Sequence, residues 1–249
     1  MRVSEGKARR AIITGGSSGI GLAAATLMLE RGYVVASLDL NQPDKEGILY
    51  INTDVGDATS VSEAVAQASE VLGGIDVVVN SAGISSAGPV DANTDEEWEL
   101  SLNVNVIGIA RVCRAALPHL RASDSAAIVN LASIASHMGL ANRVIYGATK
   151  GAVMAMTLDM ATDFLNDGIR VNAVAPGTAD TPWVARLLAQ AADPVEARRS
   201  LEARQPIGRL VTAEEVAFAI CYLADPRASS TTGTILDVDG GMHRLSPPR

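Results

Sequence analysis

The sequence predicts an α/β fold in which helices doubly wind a parallel sheet. Three observations carry that reading. Short β-branched runs alternate with longer stretches of helical periodicity along the chain. The strand-like runs are nearly all apolar, without the polar alternation of a half-exposed sheet, so both of their faces are buried. Strands alternating with helices imply parallel pairing with right-handed crossovers. A chain of 249 residues, 48% apolar, can bury one large core. One domain over 1–249 is expected, with a helical insertion at 181–210.

The elements follow in order. Ala11 to Thr14 reads as a buried strand and Ile20 to Glu30 as a helix. Tyr33 to Leu38 and Ile48 to Asn52 read as the second and third strands. Val61 to Leu72 is helical, and Ile75 to Val79 is the next strand. A single long helix is expected from about Asp95 to Leu120, then a strand at Ala127 to Leu131. The helix bearing Tyr146 runs to about Leu165, followed by a strand at Arg170 to Val174. Thr181 to Arg204 breaks the rhythm, with Pro182, Trp183, Leu187 and Leu188 ahead of a charged stretch, and reads as the helical insertion. A helix at Ala213 to Leu223 and a strand at Thr234 to Val238 close the domain.

Composition narrows the function. A net charge of −8 argues against nucleic acid or an anionic membrane as partner, and 3% aromatic residues leave few platforms for stacking bases. Cys113 and Cys221 form no disulfide framework and match no metal-ligand spacing, so a reducing compartment is expected. Arg2, Lys7, Arg9 and Arg10 precede a mildly apolar stretch in the manner of a signal peptide, but Gly15-Gly16-Ser17-Ser18-Gly19 interrupts it at once. No continuous apolar segment approaches the roughly 20 residues that span a bilayer. The protein is therefore expected in the cytoplasm.

Tyr146 and Lys150 stand four apart, about one helical turn, which places a phenol and an ammonium on one helix face; Ser133 lies thirteen residues upstream. A tyrosine of pKa near ~10 is a poor proton carrier at neutral pH, and a cation within roughly 4–6 Å favours its phenolate. Lys150 is thus expected to draw the Tyr146 pKa down. Directly after the first strand comes Thr14-Gly15-Gly16-Ser17-Ser18-Gly19-Ile20-Gly21, opening a helix. Glycines there allow a tight turn and close approach to a pyrophosphate, which the free amides of the helix start stabilise. Asp39 closes the second strand, eighteen residues past Gly21. Its carboxylate can accept both ribose hydroxyls of an adenosine and repels a 2′-phosphate. No Lys or Arg stands at Leu40, Asn41, Ser17 or Ser18, so NAD is the expected cofactor.

With these residues in place, the chain from about Ala11 to Gly241 resembles the short-chain dehydrogenase/reductase family, whose fold is a Rossmann sheet. Thr14 to Gly21, including Gly15, Ser17, Ser18, Gly19, Ile20 and Gly21, is similar to its TGxxxGIG loop. Asp54-Val55 resembles the pair beside the adenine ring. Asn80-Ser81-Ala82-Gly83 stands for its NNAG, with Ser81 departing from the pattern. The resemblance implies a catalytic tetrad of Asn105, Ser133, Tyr146 and Lys150. Pro176, Gly177, Ala179 and Thr181 resemble its PGxxxT segment beside the nicotinamide, and Asp239-Gly240-Gly241 its C-terminal signature. The implied reaction exchanges a secondary alcohol and a ketone, with Tyr146 moving the proton, Ser133 holding the substrate oxygen, Lys150 also binding the cofactor ribose, and Asn105 anchoring a water. A homotetramer is also implied, assembled through the helices around Asp95–Leu120 and Ile145–Leu165. Val104, Val106, Ile107, Val112, Met154, Met156 and Met160 give those helices surplus apolar surface.

The segments Pro176 to Trp183 and Arg204 to Arg209, with Asn142-Arg143, resemble a subgroup that includes cytosolic 3-hydroxybutyrate and 2-keto-3-deoxy-L-fuconate dehydrogenases. The chemistry agrees: Arg143 lies one turn before Tyr146, where a guanidinium can hold a substrate carboxylate, and Arg186 and Arg204 can close over it. Leu187 sits where that subgroup has an arginine. Two other readings stay open at this point, a 3-oxoacyl thioester reductase and a non-enzymatic NAD-sensing module. No metal is expected. His119, His137 and His243 read as surface or packing residues, with His137 near enough to Ser133 to line the substrate cleft.

Overall fold

The structure, a computed structural model, describes residues 8–246; Arg2 and Lys7 lie outside them. The first half runs β1 (Arg10–Thr14), α1 (Gly19–Glu30), β2 (Val34–Asp39), β3 (Ile48–Asn52), α2 (Ala58–Leu72) and β4 (Val77–Asn80). Then come α3 (Asp95–Leu102), α4 (Gly108–Arg121), β5 (Ala127–Leu131), α5 (Val144–Asp163) and β6 (Arg170–Pro176). The chain closes with β7 (Ala179–Asp180), α6 (Pro182–Ala189), α7 (Pro194–Ala203), β8 (Val211–Thr212), α8 (Ala213–Ala224) and β9 (Ile235–Val238). Seven strands form one parallel sheet in the order β3-β2-β1-β4-β5-β6-β9. The order reverses direction between β1 and β4, and ligands of such sheets bind outside the strand carboxyl ends at that point. The doubly wound Rossmann prediction therefore holds.

The continuous apolar strands do what they imply. Ile12, Val78, Ile128 and Val171 point into the layer beneath α2 and α4, while Ile13, Val79, Val129 and Val174 point into the layer beneath α1 and α8. Helix starts account for most of the boundary differences. Asp57 accepts from the Ser60 amide and begins α2 three residues before the expected Val61. The insertion is two helices, each with a proline at its start and a capping residue ahead of it: Thr181 accepts from the Val184 amide, and Asp193 from those of Val195 and Glu196. A ribbon absent from the sequence reading, β7 paired with β8, returns the insertion to the sheet.

The expected single helix Asp95–Leu120 is interrupted. Asn103–Ile107 forms a turn of π-helix between α3 and α4. Such turns carry no periodicity signal and occur where a helix makes room for a functional side chain. The whole Asp95–Arg121 stretch is 27 residues long with a mean hydropathy of 1.3 over its most apolar part, enough by length and composition to cross a membrane. That departs from the sequence expectation, because apolarity here is spread between Asn103, Asn105 and Arg111 and not continuous. Part of it serves the core, where Val112, Ala116 and Leu120 are fully buried. Of the seven residues counted as surplus apolar surface, Val112 belongs to the core and Val104, Met156 and Met160 pack against it; Ile107 alone is exposed.

Candidate functional site

At the carboxyl ends of β1, β2 and β4 lies a cavity of about 350 Å³. The glycine-rich turn forms its floor. A Cβ at Gly21 would fall on the Gly15 carbonyl oxygen, and Gly19 has φ +51° and opens only onto Thr181, so the turn needs glycine at both positions. Thr14 ties the turn to β4 by accepting from the amides of Ser81 and Ala82, both at 3.2 Å. Ser81 acts there through its backbone, which explains why its departure from the family pattern leaves the geometry intact.

Asp39 stands in the wall of this cavity with Leu40, Thr53, Asp54 and Val55. Its carboxylate accepts from the Ser17 amide and from the Asn41 amide, each at 3.0 Å. Ser17 itself turns away, its hydroxyl 3.0 Å from that of Ser37. Asn80 also leaves the expected set. It is buried and donates to Asn130 Oδ1 at 2.9 Å, bracing neighbouring strands and not lining the cavity. Arg186 does line it, from α6, and among the described residues is the one basic side chain to do so. The expectation that Arg186 closes over the substrate is thereby corrected: helix phase directs Leu187 into the neighbouring cavity and Arg186 into this one. The glycine turn, the carboxylate on β2 and the open floor fit a dinucleotide.

A second cavity, of about 170 Å³, shares Ile20, Leu131, Thr181 and Trp183 with the first. Ser133 and Tyr146 line it, as do Pro176, Gly177 and Ala179, while Thr181 belongs to both. Ser133 is buried and caps the turn Ile134–Ser136, accepting from the Ala135 amide at 3.2 Å. Lys150 Nζ lies 5.8 Å from the Tyr146 ring centre and donates to the Leu131 carbonyl at 2.6 Å. Asn105, in the π-turn, donates to the Ile84 carbonyl at 2.8 Å and to Thr149 Oγ1 at 3.1 Å, and accepts from the Ile84 amide at 2.8 Å. The interruption of the helix thus brings Asn105 against the residue preceding Lys150.

The electrostatics differ from the sequence expectation. Burial pushes the Tyr146 pKa up, and the Ser133 hydroxyl and the Arg143 charge only oppose that shift. Lys150 is not what draws it down; burial lowers Lys150 itself to about 8. Helical spacing reports a nearby charge but not the burial of the phenol, and here burial dominates.

Arg143 and Arg204 both line the second cavity, and among the described residues no Asp or Glu does. Arg143 precedes α5 and donates to Ser85 Oγ at 3.2 Å. Arg204 follows α7 and is exposed. Sequence spacing gave no hint of Ser85, nor of two further residues. Trp183 lines both cavities. Gln205, fully buried, donates to the carbonyls of Thr178 (3.2 Å) and Arg209 (2.9 Å) and so locks the insertion to the segment after β6. His137 does not line the cleft; it turns toward β9.

Comparison with known proteins decides the family. The family model described as enoyl-(acyl carrier protein) reductase matches residues 15–243. Cis-4-hydroxycyclohexanecarboxylate dehydrogenase of Sinomonas cyclohexanicum is 41% identical over 94% of this chain and 96% of its own. The chain belongs to the short-chain dehydrogenase/reductase family. A second relative of this short-chain dehydrogenase/reductase is the 2-(R)-hydroxypropyl-CoM dehydrogenase of Xanthobacter autotrophicus, 40% identical over 93% of this chain and 97% of its own. Among solved structures, the aldohexose dehydrogenase of Thermoplasma acidophilum in ligand-free form superposes with a TM-score of 0.91 at 31% identity, covering 98% of both chains. ElxO with NADP bound superposes with a TM-score of 0.87 at 30% identity, over 94% of this chain and 98% of that one. The protein is an oxidoreductase acting on CH–OH groups with a nicotinamide cofactor, which removes the non-enzymatic reading.

Proposed function

We propose that this short-chain dehydrogenase/reductase uses NAD to interconvert a secondary alcohol and a ketone on a small molecule bearing a carboxylate, such as a hydroxy acid or a 2-keto-3-deoxy sugar acid. One observation carries the substrate class: the cavity containing Ser133 and Tyr146 is lined by two arginines and, among the described residues, by no Asp or Glu. At about 170 Å³ it lies below the ~300–1,000 Å³ of pockets for drug-sized ligands, so the substrate is small. The relative named for a hydroxycyclohexanecarboxylate supports the same class. An acyl thioester reductase fits less well, since Asp39 disfavours the NADPH such enzymes usually use and a net charge of −8 is a poor surface for an acidic carrier.

When bound, the nicotinamide supplies or takes up the hydride. Every other task belongs to the chain. Gly15, Ser18, Gly19, Ile20 and Gly21 would cradle the pyrophosphate, with Arg186 neutralising part of its charge. Asp39 would receive the adenosine ribose, Asp54 and Val55 would hold the adenine, and Ala82, Gly83 and Thr181 the nicotinamide end. Asp39 and the uncharged Leu40 and Asn41 favour NAD over NADP. Burial keeps Tyr146 protonated at neutral pH, so it is ready to give its proton to a ketone oxygen that Ser133 also holds. Lys150, lowered to about 8, can take up and release protons near working pH. Asn105 positions α5 against the loop after β4.

The assembly we propose is a homotetramer built on α3, α4 and α5, supported by Leu100 on α3, Ile107 in the π-turn before α4 and Leu158 on α5, each near half exposed. A monomer in sedimentation at micromolar concentration would contradict it. The function itself is tested with matched secondary alcohols, with and without a carboxylate, each offered NAD and NADP. The reading expects the acid with NAD to be turned over fastest. Faster turnover of neutral alcohols, or of NADP, would reject the corresponding half.

A further inference from the structure

Two histidines and an aspartate that the proposed reaction does not use meet beside the edge strand. His137 follows the turn that Ser133 caps, Asp237 lies in β9, and His243 lies in the turn after it. Sequence spacing shows no such cluster, because the fold joins residues a hundred positions apart. His137 Nε2 is 3.1 Å from Asp237 Oδ1 and His243 Nδ1 is 3.4 Å from Asp237 Oδ2. One ligand atom from each of the three residues lies within 4.8 Å of the others. The two imidazoles stack, their centres 4.5 Å apart and their planes 14° from parallel.

We propose that His137, Asp237 and His243 bind a divalent transition-metal ion of the zinc, nickel or cobalt type. Three features carry this. Metal–ligand bonds of about 2.0–2.1 Å in tetrahedral geometry put ligand atoms ~3.3 Å apart, close to the 3.1 Å between His137 Nε2 and Asp237 Oδ1, while His243 approaches the other oxygen of the same carboxylate. His137 Nε2 and Asp237 Oδ1 are buried without a hydrogen-bond partner despite their closeness, as two atoms aimed at a common third point would be. The donor set of two imidazoles and one carboxylate suits these metals, whereas magnesium and calcium take oxygen ligands. The scaffold is already formed: Asp239 Oδ2 accepts from the His243 amide at 2.7 Å and Oδ1 from the Gly241 amide at 2.8 Å. Arg244 Nε, 3.4 Å from Asp237 Oδ2, competes for the carboxylate, but its side chain is largely exposed and free to leave. The ion clamps the turn after β9 to the loop that carries Ser133.

The test uses tag-free protein, stripped with a chelator and titrated with cobalt and zinc. The expected results are one ion per chain, a visible absorption band for cobalt, and a rise in melting temperature with zinc that magnesium does not reproduce. Asp237→Asn and His243→Ala should each weaken binding at least about tenfold, while His119→Ala, remote from the cluster, leaves it unchanged. Arg244→Ala should tighten it, and this variant keeps all three ligands should the others fold poorly. Absence of stoichiometric binding to the parent protein, or parental affinity in both ligand variants, would overturn the proposal.

Discussion

The two cavities of the cleft are built from different materials. The larger one is formed largely by backbone: a glycine turn with positive φ at Gly15 and Gly19, closed against β4 through Thr14, with one fixed carboxylate at Asp39. The smaller one is formed by side chains from distant segments, Ser133 after β5, Arg143 and Tyr146 on or beside α5, and Arg204 beyond α7. Backbone-built sites tolerate few sequences and recognise what a whole family shares. Side-chain-built sites can change one residue at a time, and there the substrate is chosen. Substitutions on the two sides should therefore fail differently.

The largest expected effect lies on the side-chain side. Tyr146→Phe removes only the phenolic proton, so turnover should fall by at least the roughly 10²–10⁴-fold of a general acid–base group, with cofactor affinity retained. Steady-state rates within a few-fold of the parent, alongside fluorescence titration of NAD, would break the assignment. Lys150 tests the burial beneath both cavities. Its folded pKa of about 8 lies below the ordinary 10.5. Between those values the unfolded chain binds more protons than the native one, so this group makes stability rise with pH across that window, by up to about 3 kcal/mol. Lys150→Met should abolish that component, read as the difference between parent and variant unfolding free energies from pH 7.5 to 10.5. Identical pH slopes would mean that the buried lysine is not desolvated in solution. On the backbone side, Asp39→Asn with Leu40→Arg keeps an acceptor for the Ser17 amide while replacing repulsion by a guanidinium. Preference should move toward NADP by about ten- to a hundredfold, since charged hydrogen bonds contribute roughly 1.5–3 kcal/mol. A parent enzyme that already uses both cofactors equally would show that Asp39 does not discriminate.

The same division explains what the sequence disclosed. The glycine turn, Asp39 and the Ser133–Tyr146–Lys150 spacing were legible because each depends on local backbone or on one helical turn. The apolar strands were legible because burial on both faces leaves no polar alternation. Asn105 was placed only by resemblance, since its position depends on a π-turn that leaves no periodic trace. Asn80 was misassigned because a buried asparagine bracing two strands looks, in sequence, like one facing a ligand. The Tyr146 pKa was misjudged because desolvation is a property of packing, and helical spacing reports only the nearby charge. Which cavity Arg186 and Leu187 enter depends on the phase of α6, and the His137–Asp237–His243 cluster exists only once β9 lies beside the Ser133 loop.

The most direct test of the account is the selectivity of Arg143→Met. Arg143 is not in an ion pair among the described residues; it is steadied by Ser85 Oγ and lines the cavity with Tyr146. The measurement is kcat/KM of parent and variant for a carboxylate-bearing secondary alcohol and for a neutral alcohol of matched size, with NAD. Loss of one charge-assisted contact should raise KM for the acid about tenfold or more and leave the neutral alcohol nearly unchanged. Equal losses on both substrates would make Arg143 a brace for the loop after β4, and the carboxylate reading would fall while the dehydrogenase remained.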